Sequence, residues 1–78
     1  MRILFFAQLR EATGVAEGEI DADDVSAGPL WIALIKRWPA LEAHQANTRL
    51  ARNGGYAAPD EVFRDGDEVA LLPPVSGG

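Results

Sequence analysis

Two short stretches, Ile3-Leu4-Phe5-Phe6 near the start and Val69-Ala70-Leu71-Leu72 near the end, are the most continuously apolar segments of the chain. A strand with apolar residues at successive positions has to be covered on both faces, which places it in the middle of a sheet. The alternation of Ile3, Phe5 and Ala7 with Leu4, Phe6 and Gln8 predicts a first strand over Arg2–Leu9, and Glu68–Leu72 reads as the last strand, stopped by Pro73-Pro74. In a chain of 78 residues without cysteine, neither a disulfide nor a thiolate metal site can staple the fold, so it rests on apolar packing.

Between these segments the signals alternate without a linker. Glu11-Ala12-Thr13-Gly14 reads as a turn, and Val15–Ile20, with Glu17 and Glu19 alternating, reads as a half-exposed strand returning antiparallel to the first. Asp23-Asp24-Val25-Ser26 offers a helix start at which the Ser26 hydroxyl can accept a hydrogen bond from an early helical N–H. The helix is expected over Ala27–Arg37, with Pro29 tolerated in its first turn, Lys36 and Arg37 near the negative end of its dipole, and Pro39 as its stop. Leu30, Leu34 and Trp38, with Trp31 and Ile35 beside them, form its apolar stripe, so both tryptophans are read as core.

Leu41-Glu42-Ala43-His44 fits a further short turn of helix, and Thr48–Arg52 fits an exposed strand. Asn53-Gly54 is a strong two-residue hairpin signal because both residues tolerate positive φ, and Tyr56–Ala58 is the return strand. Asp60–Phe63 reads as a loop or single helical turn, and Asp65-Gly66 as a turn. The order β-β-α-β-β-β defines an α+β fold of the β-grasp, ubiquitin-like kind, a mixed sheet wrapped over one main helix. In that layout the first and last strands lie side by side in the centre, which accounts for the two apolar segments. Residues 1–78 form one such domain, with 73–78 as a projecting tail and no internal repeat.

The net charge of −5 repels phosphate backbones, which argues against nucleic acid and favours a protein partner with a basic face. Gln8, Arg10 and Glu11 interrupt the N-terminal apolar run, and nothing approaches the roughly 18–20 apolar residues of a membrane span. No membrane role and a soluble, cytoplasmic protein are expected. With His44 the single histidine and no phosphate-binding glycine motif, no metal and no cofactor are expected to be bound by this chain. Asp21, Asp23 and Asp24 do not make a calcium loop, because Ser26 stands where the required glycine would be and Ile32 replaces the closing glutamate.

The ending Val75-Ser76-Gly77-Gly78 is the remaining chemical feature. Glycine suits any flexible end, but a terminus without side chains can also thread a narrow channel and present its carboxylate in another protein's active site. Ser76 has no histidine near it in sequence and is read as tail, not nucleophile. A carboxylate is a poor acyl donor, so Gly78 would need activation by ATP as an acyl-adenylate before an amine or a persulfide sulfur could take the acyl group. Nothing in this chain binds ATP, so the activating enzyme must be separate. Pro73-Pro74 stiffens the launch of the tail, and Pro73 to Gly78 could extend about 20 Å.

The opening Leu4-Phe5-Phe6-Ala7-Gln8-Leu9-Arg10-Glu11, the segment Asp65-Gly66-Asp67-Glu68-Val69-Ala70 and the ending Pro73-Pro74-Val75-Ser76-Gly77-Gly78 resemble the small subunits of molybdopterin synthase, the sulfur carriers of molybdenum cofactor synthesis. The resemblance implies that Gly78 is adenylated by a ubiquitin-activating-like adenylyltransferase and converted to a thiocarboxylate with sulfur from a sulfur-supplying protein. It implies further that Pro73, Pro74, Val75, Ser76 and Gly77 insert into a large synthase subunit, where the sulfur passes to cyclic pyranopterin monophosphate. The family assembly is a heterotetramer whose large subunits supply the catalytic residues. Leu71-Leu72 departs from the phenylalanine of many members, which affects partner fit and not chemistry.

An exposed sheet face is expected to meet the partner, with Phe6, Arg10, Arg49, Arg52 and Leu72 as the candidate contacts. Two other readings share the tail. One is a sulfur carrier for thiazole or tRNA thiolation, and the other is a ubiquitin-like modifier whose Gly78 is joined to a lysine, for which Lys36 is the one possible site on a second copy.

Overall fold

The computed structural model describes residues 1–73. Five strands, β1 (Arg2–Phe5), β2 (Glu17–Glu19), β3 (Arg49–Arg52), β4 (Gly55–Tyr56) and β5 (Glu68–Leu72), form one mixed sheet in the order β2-β1-β5-β3-β4. The two apolar segments pair as parallel neighbours at its centre, Ile3 beside Val69 and Phe5 beside Leu71. β3 flanks β5 antiparallel on the other side, from Arg49 beside Leu72 to Arg52 beside Val69. One face of the sheet is covered by α2 (Ala27–Arg37), whose extent matches the one predicted.

The core forms where these layers meet. Ile3 and Phe5 of β1, Val69 and Leu71 of β5 and Leu50 of β3 pack with Leu30, Trp31 and Leu34 of α2. Trp38 lies at the margin of this core, edge-on to Phe5 with ring centroids 4.8 Å apart. It also covers Gly18 of β2 so closely that a Cβ there would sit 2.5 Å from the indole. A glycine in this edge strand is therefore a packing requirement.

Several expectations are corrected. The first strand stops at Phe5, not Leu9, because Ala7 turns the chain with φ 51° and Gln8–Thr13 forms a helix, α1. Gly14, expected in a turn, is the left-handed cap of that helix, and its N–H reaches the Arg10 carbonyl at 2.9 Å. The helix turns Leu9 into the core, 1% exposed, and joins two strands that had been expected to form a direct hairpin. The second strand is correspondingly short. Ser26 precedes α2 in extended geometry, but its side chain makes no capping hydrogen bond.

The helical turn expected at Leu41–His44 is a longer 3-10 segment, Pro39–Asn47, that buries Leu41. Leu50 and Ala51 are buried, so β3 is not the exposed strand its sequence suggests. The return strand is Gly55–Tyr56 instead of Tyr56–Ala58. The segment before Asp65 is not a free loop: Phe63 is fully buried and exchanges two backbone hydrogen bonds with Val25, at 3.0 and 2.7 Å.

Candidate functional site

The strand that leads to the C-terminus is held on both sides. Its last pairing sets Leu72 opposite Arg49, and Pro73 follows without an N–H to continue the ladder. Pro74, Val75, Ser76, Gly77 and Gly78, the remainder of the tail predicted to insert into a partner, lie outside the described residues. The described surface around Leu72 is the sheet face opposite α2, and alternation along the strands decides what stands on it.

Leu4, Ala70, Ala51 and Tyr56 form one row across β1, β5, β3 and β4, fixed by the successive pairings. Leu72 and Arg49 make the next position toward the tail. The Arg49 guanidinium lies over the Tyr56 ring, 4.5 Å from its centroid, where a delocalised cation is attracted to the ring's negative face. Phe6 follows β1 and is 43% exposed; Tyr56 is 60% exposed. The opposite end of the same face is charged. Arg2 Nε donates to Glu17 at 2.6 Å and its guanidinium lies 3.6 Å from Glu68. The face is thus apolar beside the tail exit and ionic at the far end.

Four of the five predicted contacts sit toward the tail exit. Leu72 and Arg49 pair there, Phe6 leaves the end of β1, and Arg10 lies exposed on α1, which follows immediately. Arg52 does not join them. Three residues after Arg49 on the same strand, it points to the other face, because strand side chains alternate with a period of two. There its Nε donates to Asp67 at 2.6 Å and its Nη1 to Glu61 at 3.1 Å.

Asp67 is the hub of this second cluster and is almost wholly buried. Besides Arg52 it accepts from the Arg64 N–H at 2.8 Å and from Asn53 Nδ2 at 3.0 Å. These donors, Arg52 first, hold its carboxyl down to about 2 from an ordinary 3.8. Glu61 is held low as well, first by the Ala58 N–H and then by Arg52. Asn53 completes the connection: its Oδ1 accepts the Glu68 N–H at 2.9 Å while its own N–H donates to the Glu68 carbonyl at 2.8 Å. The hairpin turn thereby clasps the start of the tail-bearing strand.

Sequence reasoning did not find Leu4, Ala51, Ala70 and Tyr56 as parts of the surface by the tail. The signal was available in part, since Leu4 and Ala70 are the out-of-phase members of the two central apolar runs. Among the described residues no group of three or more His, Cys, Asp or Glu side chains is placed to hold a metal ion, and no helix is long and apolar enough to cross a membrane.

A parallel pairing of first and last strands over a single long helix defines a ubiquitin-like β-grasp domain. Within that fold the chain belongs to the ThiS family, whose model matches residues 3–78. It is 37% identical to the molybdopterin synthase sulfur carrier subunit of Chlamydomonas reinhardtii over 100% of this chain and 98% of that protein. It is 38% identical to the Escherichia coli protein of the same description, covering 100% and 99% of the two chains. The structure of SAMP1 from Haloferax volcanii superposes with a TM-score of 0.83 at 37% identity, covering 99% of this chain and 97% of that one.

Proposed function

We propose that this chain is the sulfur-carrier subunit of a molybdopterin synthase, with the Gly78 carboxylate as its reactive group. The observation that carries the reading is the full-length similarity to two sulfur carrier subunits, reaching through the diglycine end. The geometry supports it. β5 is clamped between two strands, so the tail leaves from a fixed point, and the apolar surface of Leu4, Ala70, Leu72 and Tyr56 adjoins that point. A partner that docks on this surface receives the tail in a defined register, with Phe6, Arg10 and Arg49 at the rim.

The chemistry follows from what the chain lacks and what it ends in. An activating adenylyltransferase uses ATP to join the Gly78 carboxylate to AMP, releasing pyrophosphate. The outer sulfur of a persulfide on a sulfur-supplying protein then displaces AMP to give an acyl disulfide, and a second thiol attacks the donor's own sulfur, forming a disulfide with it and releasing the thiocarboxylate. The large synthase subunit accepts the tail and directs that sulfur to cyclic pyranopterin monophosphate. In this reading the adenylyltransferase supplies the nucleotide site, and this chain supplies the docking face, the launch point and the acyl group.

Incubation with the activating enzyme, ATP and a sulfur source is expected to replace one C-terminal oxygen by sulfur, read by intact-mass measurement. Deleting Gly78 should abolish that change and leave thermal unfolding nearly unaltered, since a projecting end contributes little packing. An unmodified intact chain under those conditions refutes the reading. The similarity to SAMP1, which is also described as small archaeal modifier protein 1, favours one second reading: transfer of the Gly78 acyl group to a protein amine. Isopeptide conjugates in cells, together with intact molybdopterin synthesis after deletion, would select it.

A further inference from the structure

The sheet ends at β2, and the way β2 pairs with β1 decides which of its backbone groups are left over. The Phe5 N–H donates to the Ala16 carbonyl at 2.9 Å. Further along, the Ile20 N–H donates to the Met1 carbonyl at 2.9 Å, and the Met1 ammonium donates to the Ile20 carbonyl at 2.6 Å. In an antiparallel ladder such residues alternate with residues whose N–H and C=O point the other way. Gly18, opposite Ile3, therefore turns inward with Ala16 and Ile20, while Glu17 and Glu19 direct two N–H and two C=O groups away from the sheet. Among the described residues no strand continues the sheet on that side.

The two sides of this open edge differ. Glu17 and Glu19 lie opposite Leu4 and Arg2, so their exposed carboxylates stand on the face away from α2. On the helix side an open groove of about 370 Å³ separates Glu19-Ile20-Asp21 from Ala33, Lys36 and Arg37 of α2. The Arg37 guanidinium lies 5.3 Å from the centroid of the Trp38 ring, which itself covers Gly18. A strand laid against the edge places alternate side chains on these two sides. One set meets Glu17 and Glu19 and is favoured when basic. The other enters the groove, where Asp21 against Lys36 and Arg37 gives a rim of mixed sign that selects no charge, and Ile20 and Ala33 select an apolar side chain.

We infer that the outer edge of β2 is a docking site for an extended segment of another protein in which basic and apolar residues alternate, added to the sheet as a further strand. Its main-chain groups pair with those of Glu17 and Glu19, its basic residues face the two carboxylates, and its apolar residues fill the groove beside α2. A second copy of this chain does not fit, because β2 against β2 sets glutamate opposite glutamate. The edge lies two strands from β5 and its groove is on the α2 side, so occupation leaves the surface beside Leu72 free and requires nothing of Gly78.

The probe is the peptide Lys-Val-Lys-Val-Lys-Val-Lys, capped at both ends and titrated into the full chain while amide NMR spectra are recorded. Saturable shifts are expected at Glu17, Glu19, Ala33 and Lys36, with hydrogen exchange at the Glu17 and Glu19 N–H groups slowed at least about tenfold at saturation. N-methylation of the peptide should abolish binding when placed on one alternate set of residues and leave it nearly intact on the other, since only one set turns its N–H toward the protein. Glu17→Gln combined with Glu19→Gln should weaken binding on the order of tenfold, as two cross-strand charge pairs are lost. The same peptide with glutamate for lysine should not bind. The proposal is overturned if the shifts centre on Leu72 and Tyr56, or if Lys-Lys-Lys-Lys-Val-Val-Val binds equally well. It is also overturned if the two methylation patterns act alike, or if Glu17 and Glu19 stay unshifted at millimolar peptide. Shifts at Glu17 and Glu19 that grow with protein concentration in the absence of peptide overturn it too, by making a second copy the occupant.

Discussion

Asp67 is a buried carboxylate whose oxygens are satisfied by a guanidinium, a backbone N–H and a side-chain amide. Its folded value of about 2 lies below the ordinary 3.8. A carboxyl depressed by folding stabilises the native state above its unfolded value, and that contribution is lost as pH falls from about 4 toward 2. Urea midpoints measured across this range should fall with acidification, and Asp67→Asn should flatten the slope. Asp67→Ala leaves Arg52 and the Arg64 N–H short of a partner and should cost about 2–3 kcal/mol in urea denaturation. At Gly18 the constraint is steric. Gly18→Ala drives a methyl into the Trp38 ring and should destabilise by about 1–3 kcal/mol, with a shift in tryptophan emission as the ring is displaced. Neither role was legible in the sequence. Both depend on side chains far off in the sequence, Arg52 and Asn53 for Asp67 and Trp38 for Gly18.

At the scale of elements, legibility followed the range of the interactions. α2 has a four-residue apolar repeat and a proline stop, and its limits emerged from the sequence as the structure has them. β5 did as well, since a run of apolar residues between a turn and two prolines admits little else. The Asn53-Gly54 turn was equally plain, and both residues take positive φ, 49° and 90°. The first crossover was misread because alternation through Leu9 outweighed a helix whose start has no capping side chain. Ala7 begins that helix at φ 51°, ψ −127°, a conformation that glycine adopts freely and alanine does not. Ala7→Gly should therefore raise the stability by about 0.5–1 kcal/mol, seen as a higher thermal midpoint. On the sheet, period-two alternation puts Leu72 and Arg49 on one face and Arg52 on the other. The sequence reading had placed all three on one exposed sheet face.

At the scale of the whole molecule, the N-terminus is part of the packed structure. The N-terminal amine is built into the interior through Ile20, so an extension ahead of Met1 replaces the ammonium by an amide N–H and removes its charge contacts with Glu19 and Asp65. Appending two residues there should lower stability by up to about 1 kcal/mol, measured by chemical denaturation, whereas loss of Gly78 should not. The outer face is graded from ionic at Arg2 and Glu68 to apolar at Leu72 along β5. The parallel contact of β1 with β5 has one more consequence, and it concerns time. Ile3 and Val69 are neighbours in the sheet but lie nearly the whole chain apart, so their pairing must close a loop that contains almost every other element. The native sheet is incomplete until β5 takes its place between β1 and β3, and β5 is also the strand that leads to the C-terminus. A chain that has not finished folding therefore has no fixed end to β5, and any partner that recognises the sheet beside Leu72 meets that surface only once the last strand has arrived.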